Sequence, residues 1–103
     1  MKPECPIGKA TQILGSKWTL ELMYYLQEHQ RFCELQESMG GVNPGTLSQR
    51  LKALERVGII QRRVLDDSQR HVEYIYTDKG QDLLGVLHTL GNWVTNWYPE
   101  EVQ

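Results

Sequence analysis

Gly45, Gln49, Lys52 and Arg56 follow one another at intervals of four, three and four residues, a spacing that gathers them on one side of a helix with Ser48 and Ala53 at its margins. An amide, an ammonium and a guanidinium arranged in this way break no covalent bond. They exchange hydrogen bonds and neutralise anions: a glutamine can bond N6 and N7 of an adenine together, and a lysine or arginine can meet guanine or a phosphate. The charge around them is segregated. Between Asn43 and Arg63 the charged residues are Arg50, Lys52, Arg56, Arg62 and Arg63 against Glu55 alone, whereas Glu21, Glu28, Glu34, Glu37, Glu100 and Glu101 lie elsewhere. Most basic helix faces are simply solvated, so the neighbouring elements must decide what this one is for.

Other reactive side chains are sparse. His29, His71 and His88 stand apart, no glycine-rich phosphate loop or carboxylate pair is evident, and Cys5 and Cys33 lack partners at zinc-ligand spacing. The reading is therefore not an enzyme, with no metal and no cofactor. Cys5 has one distinguishing setting, the start of a helix with Lys2 and Lys9 near it in sequence, where a thiol can serve as a redox or electrophile sensor. The alternative is an ordinary packing thiol. Cys33, next to Phe32, reads as a core-side or boundary residue. Two cysteines are too few for a disulfide framework, and no apolar run approaches the roughly 20 residues of a membrane span. The amino terminus also lacks an apolar signal core, so a cytoplasmic location without membrane contact is expected. The net charge of -2 argues against a protein that coats nucleic acid nonspecifically, while leaving room for a local site.

The elements that must hold the basic face follow from capping residues and apolar periods. Cys5-Pro6 opens a first helix that Gly15 ends, and Ser16 is expected to cap a second carrying Trp18, Leu22, Tyr25 and Leu26. Arg31-Phe32 opens a third, with Phe32, Leu35 and Met39 inside and Glu34, Gln36 and Glu37 outside. After the turn Gly40-Gly41-Val42, Asn43 and Pro44 start a fourth helix, whose Leu47, Leu51 and Leu54 form the stripe opposite the basic face and whose end is Gly58. Two short helices joined by about four residues that include glycines have the spacing of a helix-turn-helix, over residues 31–58. Residues 59–77 then read as two strands around the polar run Asp66 to His71, a hairpin placed as a wing. Thr77-Asp78 caps a last helix with more apolar residues than one small core can use. Leu83, Leu87, Leu90, Trp93, Val94 and Trp97 are accordingly the candidate interface of a homodimer, residues 1–15 and 78–98 being the dimerisation helices. The expected fold is mainly α with a small β-hairpin wing, an α+β winged helix-turn-helix in one domain over residues 1–103.

Taken together, Cys5-Pro6, Gly15-Ser16-Lys17-Trp18-Thr19, Arg31-Phe32-Cys33-Glu34-Leu35, Leu47-Ser48-Gln49-Arg50-Leu51, Val72-Glu73-Tyr74 and Thr77-Asp78-Lys79-Gly80 resemble, in order and spacing, the HxlR family of bacterial regulators, which sits beside the MarR-like winged-helix proteins. The resemblance spans nearly the whole chain. It implies a homodimeric transcriptional regulator with a winged helix-turn-helix in each subunit and an interface of terminal helices, and some relatives use a cysteine at the position of Cys5 as a sensor. Two departures stand out. Arg70-His71 occupies the place where Pro-Arg is common, which shifts the wing arginine by one residue. Gly45 replaces a common lysine, removing one contact but allowing closer approach of the helix start.

The expected partner is double-stranded DNA, bound as a near-palindrome. Asn43, Gly45, Thr46, Ser48, Gln49, Arg50, Lys52, Arg56, Arg62, Arg70 and His71 are the candidate contacts. Thr46, Ser48 and Gln49 are the base readers, and Lys52 and Arg56 the phosphate contacts. Arg50 lies nearer the leucine stripe, in line with phosphate or an internal pairing rather than base readout. Arg62 and Arg63 point to opposite faces of a strand, so only one can look toward DNA. Arg70 and His71 could enter the minor groove, against which stands the repulsion of phosphate by Asp66 and Asp67. Trp18, Trp93 and Trp97 with Tyr24, Tyr25 and Tyr98 could line a pocket for a small-molecule effector of unknown identity, or simply pack. The alternative function is a winged helix that binds protein instead of DNA.

Overall fold

The computed structural model describes residues 5–66 and 71–102. The expectations placed on Lys2, Asp67 and Arg70 lie outside the described residues. Five helices and one hairpin follow in the order α1 Pro6–Leu14, α2 Thr19–Leu26, α3 Phe32–Ser38, α4 Pro44–Arg56, β1 Ile60–Val64, β2 Val72–Tyr76 and α5 Asp78–Trp97, with a 3₁₀ turn at Pro99–Glu101. The winged helix-turn-helix reading holds.

The core belongs to the middle of the chain. Leu22, Met23 and Leu26 of α2, Leu35 of α3, Met39 and Val42 of the connecting turn, Leu47, Leu51 and Leu54 of α4, and Ile59 and Ile60 at the start of β1 are all buried. Burying a side chain of this size stabilises by about 1.5–3 kcal/mol relative to leaving it exposed, so this cluster is what the fold rests on. The turn between α3 and α4 puts Gly40 at φ 74 and Gly41 at φ 78, left-handed values that a side chain would resist. Gln36, expected to face solvent, is half-buried instead and donates its amide to the Val42 carbonyl at 3.0 Å. That bond fixes the turn from the α3 side.

The start of α2 differs from expectation. Ser16 does not cap it; the helix begins at Thr19, and Trp18 in the N-cap position has φ 79 and makes no side-chain capping bond. A non-glycine residue held in this region costs about 1–2 kcal/mol. It is offset by packing, because the half-buried Trp18 ring lies against the core and Lys17 Nζ stands 5.6 Å from its centroid.

β1 and β2 pair antiparallel with Ile60 opposite Tyr76, Arg62 opposite Tyr74 and Val64 opposite Val72. On the other side of β2, the Tyr74 amide donates to the Gln30 carbonyl at 2.8 Å, which anchors the hairpin to the segment before α3. Tyr76 donates its hydroxyl to the Met23 carbonyl, and burial pushes its pKa well above the ordinary tyrosine value.

Candidate nucleic-acid interface

α4 is set up by its first residues. Asn43 Oδ1 accepts from the amides of Gly45 at 2.8 Å and Thr46 at 3.3 Å, and Pro44 occupies the first helical position, where no amide partner is needed. With Leu47, Leu51 and Leu54 buried beneath, Gly45, Gln49, Lys52 and Arg56 are all exposed on the opposite side. Thr46 and Ser48 are half-buried at the margin of that face. The exposed row matches the helical spacing read from the sequence.

Arg50 points inward along the surface. Its Nε donates to the Lys17 carbonyl at 2.7 Å, tying α4 to the turn between α1 and α2 across 33 positions of sequence. That carbonyl belongs to the residue just before left-handed Trp18, so Arg50 helps hold the turn whose backbone needs holding.

On the hairpin the two arginines take different partners. Arg63 forms an ion pair with its cross-strand neighbour Glu73 at 2.9 Å. Arg62, opposite Tyr74, lines a cavity of about 290 Å³ with Arg31, Phe32 and Cys33. Arg31, at the N-cap of α3, is not one of the contacts expected from the sequence, where it enters only as the start of that helix and of the family-like run Arg31 to Leu35. His71 is exposed and pairs through Nδ1 with Asp66, while the Leu65 amide donates to the His71 carbonyl at 2.7 Å. Asp66 is thus turned toward His71, beyond the last strand pair of the hairpin.

Cys5 is the N-cap of α1, its Sγ accepting the Gly8 amide at 3.4 Å. Cys33, read from the sequence as a core-side or boundary residue, is exposed instead. α3 turns Leu35 to the core and leaves Cys33 and Glu34 on the outer side.

Among the described residues, α1 and α5 bury only glycines, Gly8 and Gly80. Leu83 and Leu87 lean on the core from its edge and Val94 is half-buried, whereas Leu90, Trp93 and Trp97 are exposed. Val86 and Ile7 are exposed too, and neither was singled out for the interface. An apolar cavity of about 290 Å³ opens between α1, α2 and α5, lined by Ile7, Leu14, Leu20, Met23 and Leu90 among others. None of its lining residues is aromatic, but Tyr24 and Tyr25, which pack on each other at 5.3 Å between centroids, line a second cavity of about 270 Å³ with Leu20, Leu87 and Leu90; Trp93 packs on Tyr98 at 5.9 Å. Among the described residues no three potential metal ligands come together.

A capped helix with an exposed amide and basic row, a glycine turn before it and a hairpin after it define a winged helix-turn-helix transcriptional regulator. More narrowly, the chain belongs to the HxlR-like helix-turn-helix family, whose model matches residues 13–102. It is 35% identical over 95 residues to the uncharacterized HTH-type transcriptional regulator YvaP of Bacillus subtilis, covering 90% of this chain and 88% of that one. It is 32% identical to the regulator YodB of the same organism, covering 86% of this chain and 81% of YodB. Among solved structures, reduced YodB superposes with a TM-score of 0.76 at 30% identity, covering 91% of this chain and 94% of that one. The redox regulator HypR in its reduced form superposes with a TM-score of 0.83 at 25% identity, over 94% and 98% of the two chains.

Proposed function

We propose that the chain works as a homodimer that binds a near-palindromic double-stranded DNA operator in the cytoplasm, controls transcription there and catalyses no reaction. The observation that carries this reading is the exposed Gln49, Lys52 and Arg56 row lying directly over the buried leucines of α4. A helix held that way can place its first turns in a major groove. Thr46, Ser48 and Gln49 read bases, with Asn43 and Gly45 letting the helix start approach the backbone; Lys52 and Arg56 neutralise phosphate. Arg50 serves the site by bracing α4 against the α1–α2 turn. Arg62 is the hairpin cation turned toward DNA, since Arg63 is engaged with Glu73. His71 and Arg70 stand at the wing.

The dimer is supported by apolar side chains that their own subunit leaves exposed or only half-covered. Leu90, Trp93, Val94 and Trp97, joined by Val86 and Ile7, meet the same surface of a second copy, while Leu83 and Leu87 seat α5 on the core below. In domain terms residues 31–58 are the reading unit, 59–77 the wing, and 1–15 with 78–98 the dimerisation helices. Two recognition helices related by a two-fold axis favour half-sites about 34–36 Å apart or a multiple of that distance.

Salt titration against a duplex selected from a random pool and against random DNA tests the reading. Gln49→Ala is expected to reduce discrimination between the two duplexes. Lys52→Ala is expected to weaken binding to both and to lower the salt slope by about 1. Absence of binding to either duplex at low salt, by the wild-type dimer, refutes it.

A second reading concerns control of the same site through a thiol. Solved structures of YodB include diamide-treated and quinone-bound forms. In this chain the thiol proposed to sense such reagents is Cys5, whose sulfur accepts the Gly8 amide at the start of α1, one of the proposed dimerisation helices. Diamide or quinone is expected to release the operator from the wild-type chain and from Cys33→Ser but not from Cys5→Ser. Equal release from Cys5→Ser removes Cys5 from the mechanism.

A further inference from the structure

The Thr77-Asp78-Lys79-Gly80 run caps α5, yet three of its residues also reach the far end of α4. Lys79 Nζ donates to the Val57 carbonyl at 2.6 Å, the last carbonyl at the C-terminal end of the recognition helix. An ammonium there meets the negative end of the helix dipole, so it complements α4 in charge as well as in hydrogen bonding. Thr77 Oγ1 donates to the Gly58 carbonyl, its amide donates to the Ile59 carbonyl at 3.1 Å, and the same hydroxyl accepts the Gly80 amide at 3.1 Å. Gly80 is buried, and a Cβ on it would overlap the Ile59 carbonyl oxygen. Close approach of the two backbones therefore requires glycine at this point.

These contacts converge where two functions meet. Val57, Gly58 and Ile59 lead from the C-cap of the recognition helix into β1, and Thr77, Lys79 and Gly80 begin the helix that carries the exposed apolar face. The other tie from α5 toward the core, His88 Nε2 to Gln27 Oε1 at 2.8 Å, reaches α2 and not α4. We infer that Thr77, Lys79 and Gly80 form a joint that fixes α4 at a set position relative to α5, and thereby sets the separation of the two recognition helices in the dimer. The inference rests on the DNA-binding dimer proposed above. In it Lys79 and Thr77 are positioning residues: they act on DNA only through the place they give α4. The joint is narrow, one side chain wide on each side of a glycine contact, so loss of the Lys79 bond frees the end of α4 without opening the leucine core.

The test uses duplexes selected by the wild-type full-length dimer, variants of them with the half-sites moved by one base pair in either direction, and a random duplex. Lys79→Met keeps the aliphatic stem and removes the ammonium. It is expected to weaken binding to the selected duplex about fivefold, the size of one hydrogen bond, and to change random-duplex binding less than twofold. It is also expected to shrink the penalty for displaced half-sites. Lys79→Arg, which can still donate to Val57, is expected to restore spacing preference, and Thr77→Val to repeat the Lys79→Met pattern independently. Circular dichroism and sedimentation confirm that each variant is a folded dimer, and if one is not, the other decides.

Equal weakening on selected and random duplexes would make Lys79 a phosphate contact and overturn the joint. Unchanged spacing preference in both Lys79→Met and Thr77→Val would overturn it as well. Failure of the wild-type chain to bind any duplex is a different result: it refutes the DNA-binding reading, and the joint falls with it.

Discussion

α4 and α5 are the two longest helices of the chain, and they treat their apolar side chains in opposite ways. In the 13 residues of α4, Leu47, Leu51 and Leu54 are at most 1% exposed. In the 20 residues of α5, Gly80 is the one buried residue, and Trp97 is 72% exposed. Propensity does not explain the contrast, because both helices have capped starts. Position does. α4 turns its leucines into the cluster that α2, α3 and the start of the hairpin also fill, whereas α5 meets that cluster through the partly buried Leu83 and Leu87. One hydrophobic set is completed inside the chain. The other stays largely exposed, and is the set proposed above to meet a second copy.

The largest effect is expected inside the closed set. Leu51→Ala should cost about 2–5 kcal/mol in chemical denaturation, a large part of the stability of a domain this size, and should lower stability even where dimerisation is complete. A loss below about 1 kcal/mol would mean that α4 is not buried as described. Next comes the open set: Leu90→Asp with Trp93→Ala should raise the dimer dissociation constant by at least about 30-fold in sedimentation, the effect of losing an interface hot spot. The helical content of the separated subunits should remain. A variant that stays dimeric would place the interface elsewhere, and one that unfolds would show that α5 stabilises the subunit itself.

Arg50→Met tests what holds α4 from outside its leucine set, since it breaks the bond to the Lys17 carbonyl in the α1–α2 turn without touching either apolar set. It should cost about 1 kcal/mol in stability, with Arg50→Lys regaining only part of that. The smallest effect is reserved for Tyr76, whose hydroxyl joins the hairpin to α2. Its folded pKa is raised above the ordinary value of 10.0 by burial, so its contribution is whole below that pH and falls as the pH rises through the folded value. Tyr76→Phe should therefore be less stable than the wild type at neutral pH, and the gap should narrow above about pH 10. A gap that is constant with pH would remove Tyr76 as its source.

Local signals carried most of the fold. Cys5-Pro6, Asn43-Pro44 and Thr77-Asp78 mark helix starts because capping depends on residues adjacent in sequence, and all three lie where the chain predicts. The exposed row of α4 was legible for a similar reason, since it needs only the period of one helix. What escaped the sequence depends on distant partners or on strain. Nothing near Trp18 signals its left-handed backbone, which packing and the bond from Arg50 maintain. Gln36 is polar and was placed outside, but the Val42 carbonyl across the turn draws it in. Ile7 and Val86 were not singled out because exposure of an apolar residue is a property of what fails to cover it.

The hairpin carries a consequence of another kind. Among the described residues β1 has β2 on one side and no strand on the other, so one row of its backbone groups has no partner within the sheet. Such a row can template the addition of a strand from another molecule, the first step of uncontrolled aggregation. Arg62 and Arg63 sit in the middle of that strand, both exposed; Glu73 offsets the charge of Arg63, and that of Arg62 repels the same strand of an approaching chain. Quite apart from any nucleic acid, charge at these positions is expected to guard solubility, and replacing both arginines with threonine should be felt first in how concentrated the protein can become.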